Sequence, residues 1–267
     1  KKIIKKKLRH LNYQNVNLHN FKKTSELIDK INPSGIIHLA SKNETAHNKK
    51  LKFKDHYFNN YQITKNLLNS VAIYSKKTKF IFAGSSQMYG KKSGVVTEKS
   101  KFKPNCHYSK YKVDSYNLIK SYKKKFNLNA STLILFNHDS KYRNKNFLLP
   151  RIVHYLKKKN LSKLSDIYTE NINGDFSHAE DICNAIYKIL NLKNLPDRII
   201  LSSFKLTSIN DLINYGLKKF KINNFPKLKV NKPKKLLIGN NTFAKKKLNW
   251  KIKKNSLIAF KEILKSF

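Results

Sequence analysis

Two residues in this chain are spaced for proton transfer. Tyr108 and Lys112 stand four positions apart, so on a helix the phenol and the ammonium share one face. A cation beside a phenol lowers its pKa, and a phenol that titrates nearer neutrality can take a proton from a hydroxyl or return it. The spacing alone is common here: five Tyr-x-x-x-Lys pairs occur, starting at Tyr61, Tyr108, Tyr116, Tyr155 and Tyr215, in a chain with 14 tyrosines. Surroundings single out the second. Tyr108 follows Pro104-Asn105 at the head of a long helical stretch. Upstream stands Gly84-Ser85-Ser86-Gln87-Met88-Tyr89-Gly90, directly after the apolar run Phe80–Ala83. A serine at the end of a buried strand, facing a tyrosine at a helix start, can hold a substrate hydroxyl beside the phenol. An ordinary serine-rich turn would read the same way.

Other chemistries find less support. The chain has no G-x-S-x-G hydrolase elbow. His10, His19, His47, His56, His107 and His154 form no metal-ligand spacing with cysteines or acids, so they read as surface or packing residues and no metal is expected. Two cysteines, Cys106 and Cys183, are too few for a disulfide scaffold and suit a reducing compartment; Cys106, near the dyad, reads as packing. The seven glycines contain no G-x-G-x-x-G and no P-loop. If the sheet binds a dinucleotide, its first βα unit is therefore expected to be missing from this chain, in keeping with a first residue that is Lys1 and a single methionine at Met88.

The elements that must position the dyad follow from hydrophobic patterning. Apolar runs at Ile36–Ala40, Phe80–Ala83, Ser131–Phe136 and Arg198–Leu201 suit strands buried on both faces. Amphipathic stretches at Thr24–Ile31, Asn59–Tyr74, Tyr108–Phe126, Phe147–Lys158, His178–Leu190 and Ile209–Phe220 alternate with them. This alternation reads as an α/β fold, a Rossmann-like parallel sheet with helices on both faces. Residues 1–137 are expected to form the dinucleotide-binding domain. Residues 138–267 are expected to complete the sheet and to build a smaller substrate lobe, with an extended piece at Asn224–Pro233 and a short strand at Leu236–Ile238.

Composition bounds the function. At 40% hydrophobic and 12% aromatic residues the chain is globular, not disordered. No apolar run approaches the roughly 20 residues that span a bilayer, so no membrane partner and a cytoplasmic location are expected. The net charge of +42 suggests nucleic acid, but only Arg9, Arg143, Arg151 and Arg198 carry the planar fork that reads bases. The lysines and 33 asparagines are spread evenly, as a codon bias toward A would load them. No specific nucleic-acid partner is expected, only nonspecific polyanion sticking at low salt.

The ordered motifs resemble those of the extended short-chain dehydrogenase/reductases acting on nucleotide sugars, most of all the GDP-mannose 4,6-dehydratase family. Leu135-Phe136-Asn137-His138-Asp139-Ser140 is similar to that family's L-F-N-H-E-S, and Arg143 with Asn146-Phe147 falls in step with its R-R-G-x-N-F. Asp175-Phe176-Ser177-His178-Ala179-Glu180-Asp181 is similar to D-W-G-H-A-K-D. Lys232-Pro233, Leu237-Ile238-Gly239-Asn240, Ala244 and Leu248-Asn249-Trp250 follow its C-terminal pattern. His38-Leu39-Ala40 resembles H/N-L-A-A, and Asn17-Leu18 stands where the family has Asp-Leu beside the adenine.

The resemblance implies bound NADP, with NAD as the other possibility, and a nucleotide-sugar substrate, GDP-mannose first. It implies C4 oxidation with Tyr108 as base, Lys112 tuning it and Ser85 holding the C4 oxygen. Cofactor contacts would come from Asn17, Leu18, Leu39, Ala40, Ser41, Tyr108, Lys112, His138 and Arg143. Sugar-nucleotide contacts would come from Ser86, Asn137, Asn146 and Lys232. A homodimer or homotetramer is implied as well. Departures matter: Gln87 stands where the family has the Glu that removes the C5 proton, and an amide cannot act as that base. Lys232 replaces an arginine, losing bidentate phosphate geometry, and Gly174 and Ser41 also depart from the pattern. A related activity without dehydration, 4-epimerisation or 4-keto reduction, or an inactive paralogue, are the alternatives.

Overall fold

The computed structural model describes residues 11–41, 53–232 and 236–266, and side chains there except those of residues 53–56. Arg9, His10, Lys42, His47 and Pro233, and the side chain of His56, lie outside the described residues.

Four strands build the main parallel sheet: β1 (Gly35–His38), β2 (Lys79–Ala83), β4 (Ala130–Leu135) and β7 (Arg198–Leu201), in the order β1-β2-β4-β7. The register sets Ile36 against Phe80, Phe82 against Thr132 and Leu133 against Ile199. Strand alternation explains why both faces are covered. Phe80, Phe82 and Ala130 pack with Ile28, Leu68, Val71 and Ile119, from helices α1 (Phe21–Ile31), α2 (Phe53–Tyr74) and α3 (His107–Phe126). Ile81, Leu133, Ile199 and Leu201 point the other way, toward α6 (Ala179–Leu190), α8 (Thr242–Leu248) and the buried Trp250. Trp250 donates its indole N–H to the Asp181 carbonyl at 3.0 Å, so its polar edge is satisfied inside the core.

The smaller lobe surrounds Phe176. It packs α4 (Leu148–Lys157), α5 (Leu161–Thr169), α7 (Ile209–Lys219) and α9 (Ser256–Ser266) around Ile152, Leu156, Ile213 and Phe260. Between lobe and sheet run β5 (Asn137–Asp139), β6 (Asn173–His178) and β8 (Leu206–Ser208), with β5-β6 parallel and β6-β8 antiparallel. A further parallel pair joins β3 (Gly94–Val96) to β9 (Leu237–Gly239). The expected strand Ile36–Ala40 stops at His38, which frees Leu39 to Ser41 as a loop. Strands β3, β5, β6 and β8 and helix α5 are additions to the sequence reading.

β6 is a strand of buried polar residues, and its satisfaction is tertiary. Asp175 is 1% exposed and accepts from Ser203 N (2.7 Å), Ser203 Oγ (2.6 Å), Phe204 N (3.1 Å) and Gly239 N (3.2 Å). One carboxylate therefore ties β6 to the turn after β7 and to β9. Asp175→Ala leaves those donors buried and unmet, and we expect it to cost roughly 2–5 kcal/mol. Urea unfolding checks this; a variant within experimental error of wild type would refute the assignment.

Candidate active site

The site begins where β2 ends. Ser85, in extended backbone, accepts from Gln87 N at 3.2 Å and opens a single 3₁₀ turn, Ser86–Tyr89. Met88 and Tyr89 are fully buried and anchor that turn, and Lys103 N bonds the Met88 carbonyl at 3.0 Å. Gly90 closes it at φ 65°, where an added Cβ would lie 1.9 Å from the Lys103 carbonyl oxygen, so only glycine fits. The turn thus presents Ser85, Ser86 and Gln87 while its apolar residues face inward.

Helix α3 faces it. Cys106 is the N-cap, its sulfur accepting from Ser109 N at 3.5 Å, and its thiol donates to Gln87 Oε1 at 3.9 Å. Tyr108 follows in the first turn and Lys112 lies one turn on. Lys112 is 3% exposed; its Nζ donates to the Ala83 carbonyl at 2.6 Å and sits 4.7 Å from the Phe82 ring centroid. The rings of Tyr111 and Tyr108 stand 5.2 and 5.7 Å from the same nitrogen. Burial pulls the Lys112 amine from 10.5 down to about 7. Burial pushes the Tyr108 phenol up, against the neighbouring Ser85 hydroxyl and the charge of Arg143, which both favour the phenolate. His38, under the same floor, is held neutral: burial and then the Lys112 charge bring it to about 3, and its Nε2 meets Thr64 Oγ1 at 3.0 Å.

The opposite wall comes from the end of β4 and from β5. His138 Nδ1 donates to the Phe136 carbonyl at 2.8 Å, which leaves Nε2 as the acceptor, and burial lowers its pKa. Arg143 reaches Asp139 at 3.3 Å and lies 3.7 Å over the Phe147 ring. Burial pushes the Asp139 carboxyl up to about 6 despite that guanidinium.

These walls enclose a cavity of about 570 Å³, within the size range of small-ligand sites. Ser85, Ser86, Gln87, Tyr108, Lys112, Leu39, Ser41, Asn137, His138, Arg143 and Asn146 all line it. Ala40, Asn17, Leu18 and Lys232 do not: Asn17 caps a local turn by accepting from His19 N at 3.1 Å, and Lys232 is exposed. Residues that sequence reasoning missed are Phe147 and Arg151 in the lining, and Tyr111 behind it. Arginine scarcity was the available signal, since Arg143 and Arg151 are two of only four in the chain. Among the described residues no cluster of His, Cys, Asp or Glu is placed to hold a metal, and no helix is long and apolar enough to cross a membrane.

The sequence profile of the family described as GDP-mannose 4,6 dehydratase matches residues 2–266. GDP-mannose 4,6 dehydratase 2 of Caenorhabditis elegans is 27% identical over 197 residues, covering 71% of this chain and 50% of that protein. The chain spans about half the length of the curated relatives it matches. Among solved structures, RMD from Pseudomonas aeruginosa, complexed with NADPH, superposes with a TM-score of 0.80 at 15% identity, covering 99% of this chain and 94% of the other. The dTDP-glucose 4,6-dehydratase of Bacillus anthracis, in complex with NAD, gives 0.81 at 17% identity, covering 99% and 83%. At these identities the likeness is one of fold, and the fold is Rossmann-like.

Proposed function

The chain belongs to the GDP-mannose 4,6 dehydratase family, and from that premise we propose that it oxidises the C4 hydroxyl of a nucleotide-linked hexose as the opening step of a 4,6-dehydration. The observation that carries this reading is the convergence of Ser85, Tyr108 and Lys112 on one cavity, with the buried Lys112 amine 5.7 Å from the Tyr108 ring centroid and bonded to the Ala83 carbonyl. The described residues fit the reactive end of a nicotinamide dinucleotide, because Leu39, Ser41, Tyr108, Lys112 and His138 line one cavity at the sheet's C-terminal edge. When bound, the nicotinamide supplies the hydride acceptor; NADP is the preferred form, and its relatives in fold carry NADPH or NAD.

The chain's own residues do the rest. Tyr108 takes the hydroxyl proton, Ser85 orients the oxygen, and Lys112 holds the ring and the Ala83 carbonyl in place. His138 and Arg143 face the cofactor. Ser86, Asn137 and Asn146 face the sugar nucleotide, with GDP-mannose the first candidate, and Lys232 is assigned to it from the family pattern.

Gln87 favours a second reading. Its carboxamide lines the cavity but carries no basic site, which suits oxidation and re-reduction at C4, as in epimerisation or 4-keto reduction, without loss of water.

Titration of the purified chain with NADPH and NADH, followed by nicotinamide fluorescence, tests the reading. Saturable binding that persists at high salt, and turnover with a GDP- or UDP-sugar, are expected. Binding that vanishes with salt and ignores sugar nucleotides would replace the enzyme with a polyanion-binding protein. Absence of any nicotinamide binding would mark an inactive paralogue.

A further inference from the structure

We propose that Tyr111 is a positioning residue, locking the loop after β1 to the helix that carries Tyr108 and Lys112 and fixing the orientation of the Tyr108 ring. Three contacts converge on this one side chain. Its hydroxyl hydrogen-bonds the Ser41 hydroxyl, 70 positions away in sequence. Its ring meets the Tyr108 ring edge-on, with centroids 5.4 Å apart and planes at 90°. Its face also walls the Lys112 ammonium at 5.2 Å.

The environment makes those contacts fixed rather than incidental. Tyr111 is 1% exposed, so its ring cannot swing without opening the core. Burial pushes its phenol up, so the hydroxyl stays protonated throughout the neutral range. The i, i+3 spacing places Tyr108 and Tyr111 on adjacent parts of one helix face, where the edge-on packing restrains the Tyr108 ring. On the other side, Leu39 to Ser41 form no regular element, and Leu39 is 59% exposed although it lines the cavity. A loop of that kind holds its place only through anchors, and the Tyr111–Ser41 bond runs straight to the dyad helix.

The inference rests on the proposed nicotinamide chemistry only for its kinetic arm. Tyr111→Phe removes the hydroxyl and keeps the ring; Tyr111→Leu removes both; Ser41→Ala cuts the bond from the loop side. Amide hydrogen exchange across residues 39–41 in the chain without ligand is the first readout. Exchange there is expected to be about five- to tenfold faster in Tyr111→Phe and in Ser41→Ala, and no faster in the double variant, because both changes break the same hydrogen bond. NADPH affinity is expected to fall several-fold in Tyr111→Phe with kcat retained. In Tyr111→Leu, kcat itself falls and its pH profile moves, because the Tyr108 ring is no longer held. Unchanged exchange in Tyr111→Phe, or single-variant effects that simply add in the double variant, would overturn the proposal. Wild type that binds no nicotinamide would defeat the proposed function instead, and the exchange measurement would still decide the role of Tyr111.

Discussion

Tyr108→Phe is expected to lower nicotinamide-dependent turnover by roughly 10²–10⁴-fold while leaving the fold intact. The substitution removes one oxygen and nothing else that packs. The ring keeps its edge-on contact with Tyr111, its place over Lys112 and its position in the first turn of α3. What disappears is the one polar atom of the side chain, the only part that could accept a substrate proton. The sign of the pH dependence follows from the same surroundings. Burial holds the phenol above its ordinary value, so the phenolate that oxidation needs becomes more populated as pH rises. The oxidative rate should therefore climb across the neutral and alkaline range in wild type, and Tyr108→Phe should flatten that climb. Product formation followed by mass spectrometry and NMR, with the transient reduction of bound nicotinamide followed in single turnover, beside thermal unfolding of both proteins, gives the answer. A phenylalanine variant that turns over at the wild-type rate would remove Tyr108 from the chemistry.

The parts of this arrangement that were legible in the sequence are those fixed by local spacing. β2 and β7 could be read because their apolar residues are continuous and both faces are buried, as Phe80, Ile81, Ile199 and Ile200 show. The dyad could be read because four residues on a helix is a local distance. β6 could not, because Asn173–His178 spells a polar segment whose burial is compensated from far away. Asp175 is satisfied by the turn at Ser203 and by Gly239, and His178 meets Glu262 on the last helix at 3.0 Å. Nothing near β6 in sequence announces those partners. The same holds in the site. Phe147, Arg151 and Tyr111 contribute through folding alone, whereas Asn17, Leu18 and Lys232, carried over from motif positions, stand outside the cavity.

Gln87→Glu is expected to raise formation of the dehydrated, 4-keto-6-deoxy product. Oxidation at C4 acidifies the C5 proton, but elimination needs a base on that face, and the group that the 3₁₀ turn presents there is a carboxamide. The turn itself is well made. Ser85 caps it, Met88 and Tyr89 anchor it, and Gly90 closes it, so a carboxylate at position 87 would inherit a fixed position at no change in volume. A positioned general base contributes roughly 10²–10⁴-fold, which sets the scale of the expected gain in dehydrated product. Stability should hardly move, because residue 87 is exposed and its side chain meets only a weak donor, the Cys106 thiol, among the described residues. Product analysis by mass spectrometry separates loss of water from epimerisation at constant mass. If Gln87→Glu forms no more dehydrated product than wild type while C4 redox exchange persists in both, position 87 is not the missing base. Any limit on dehydration would then lie elsewhere than in that one amide.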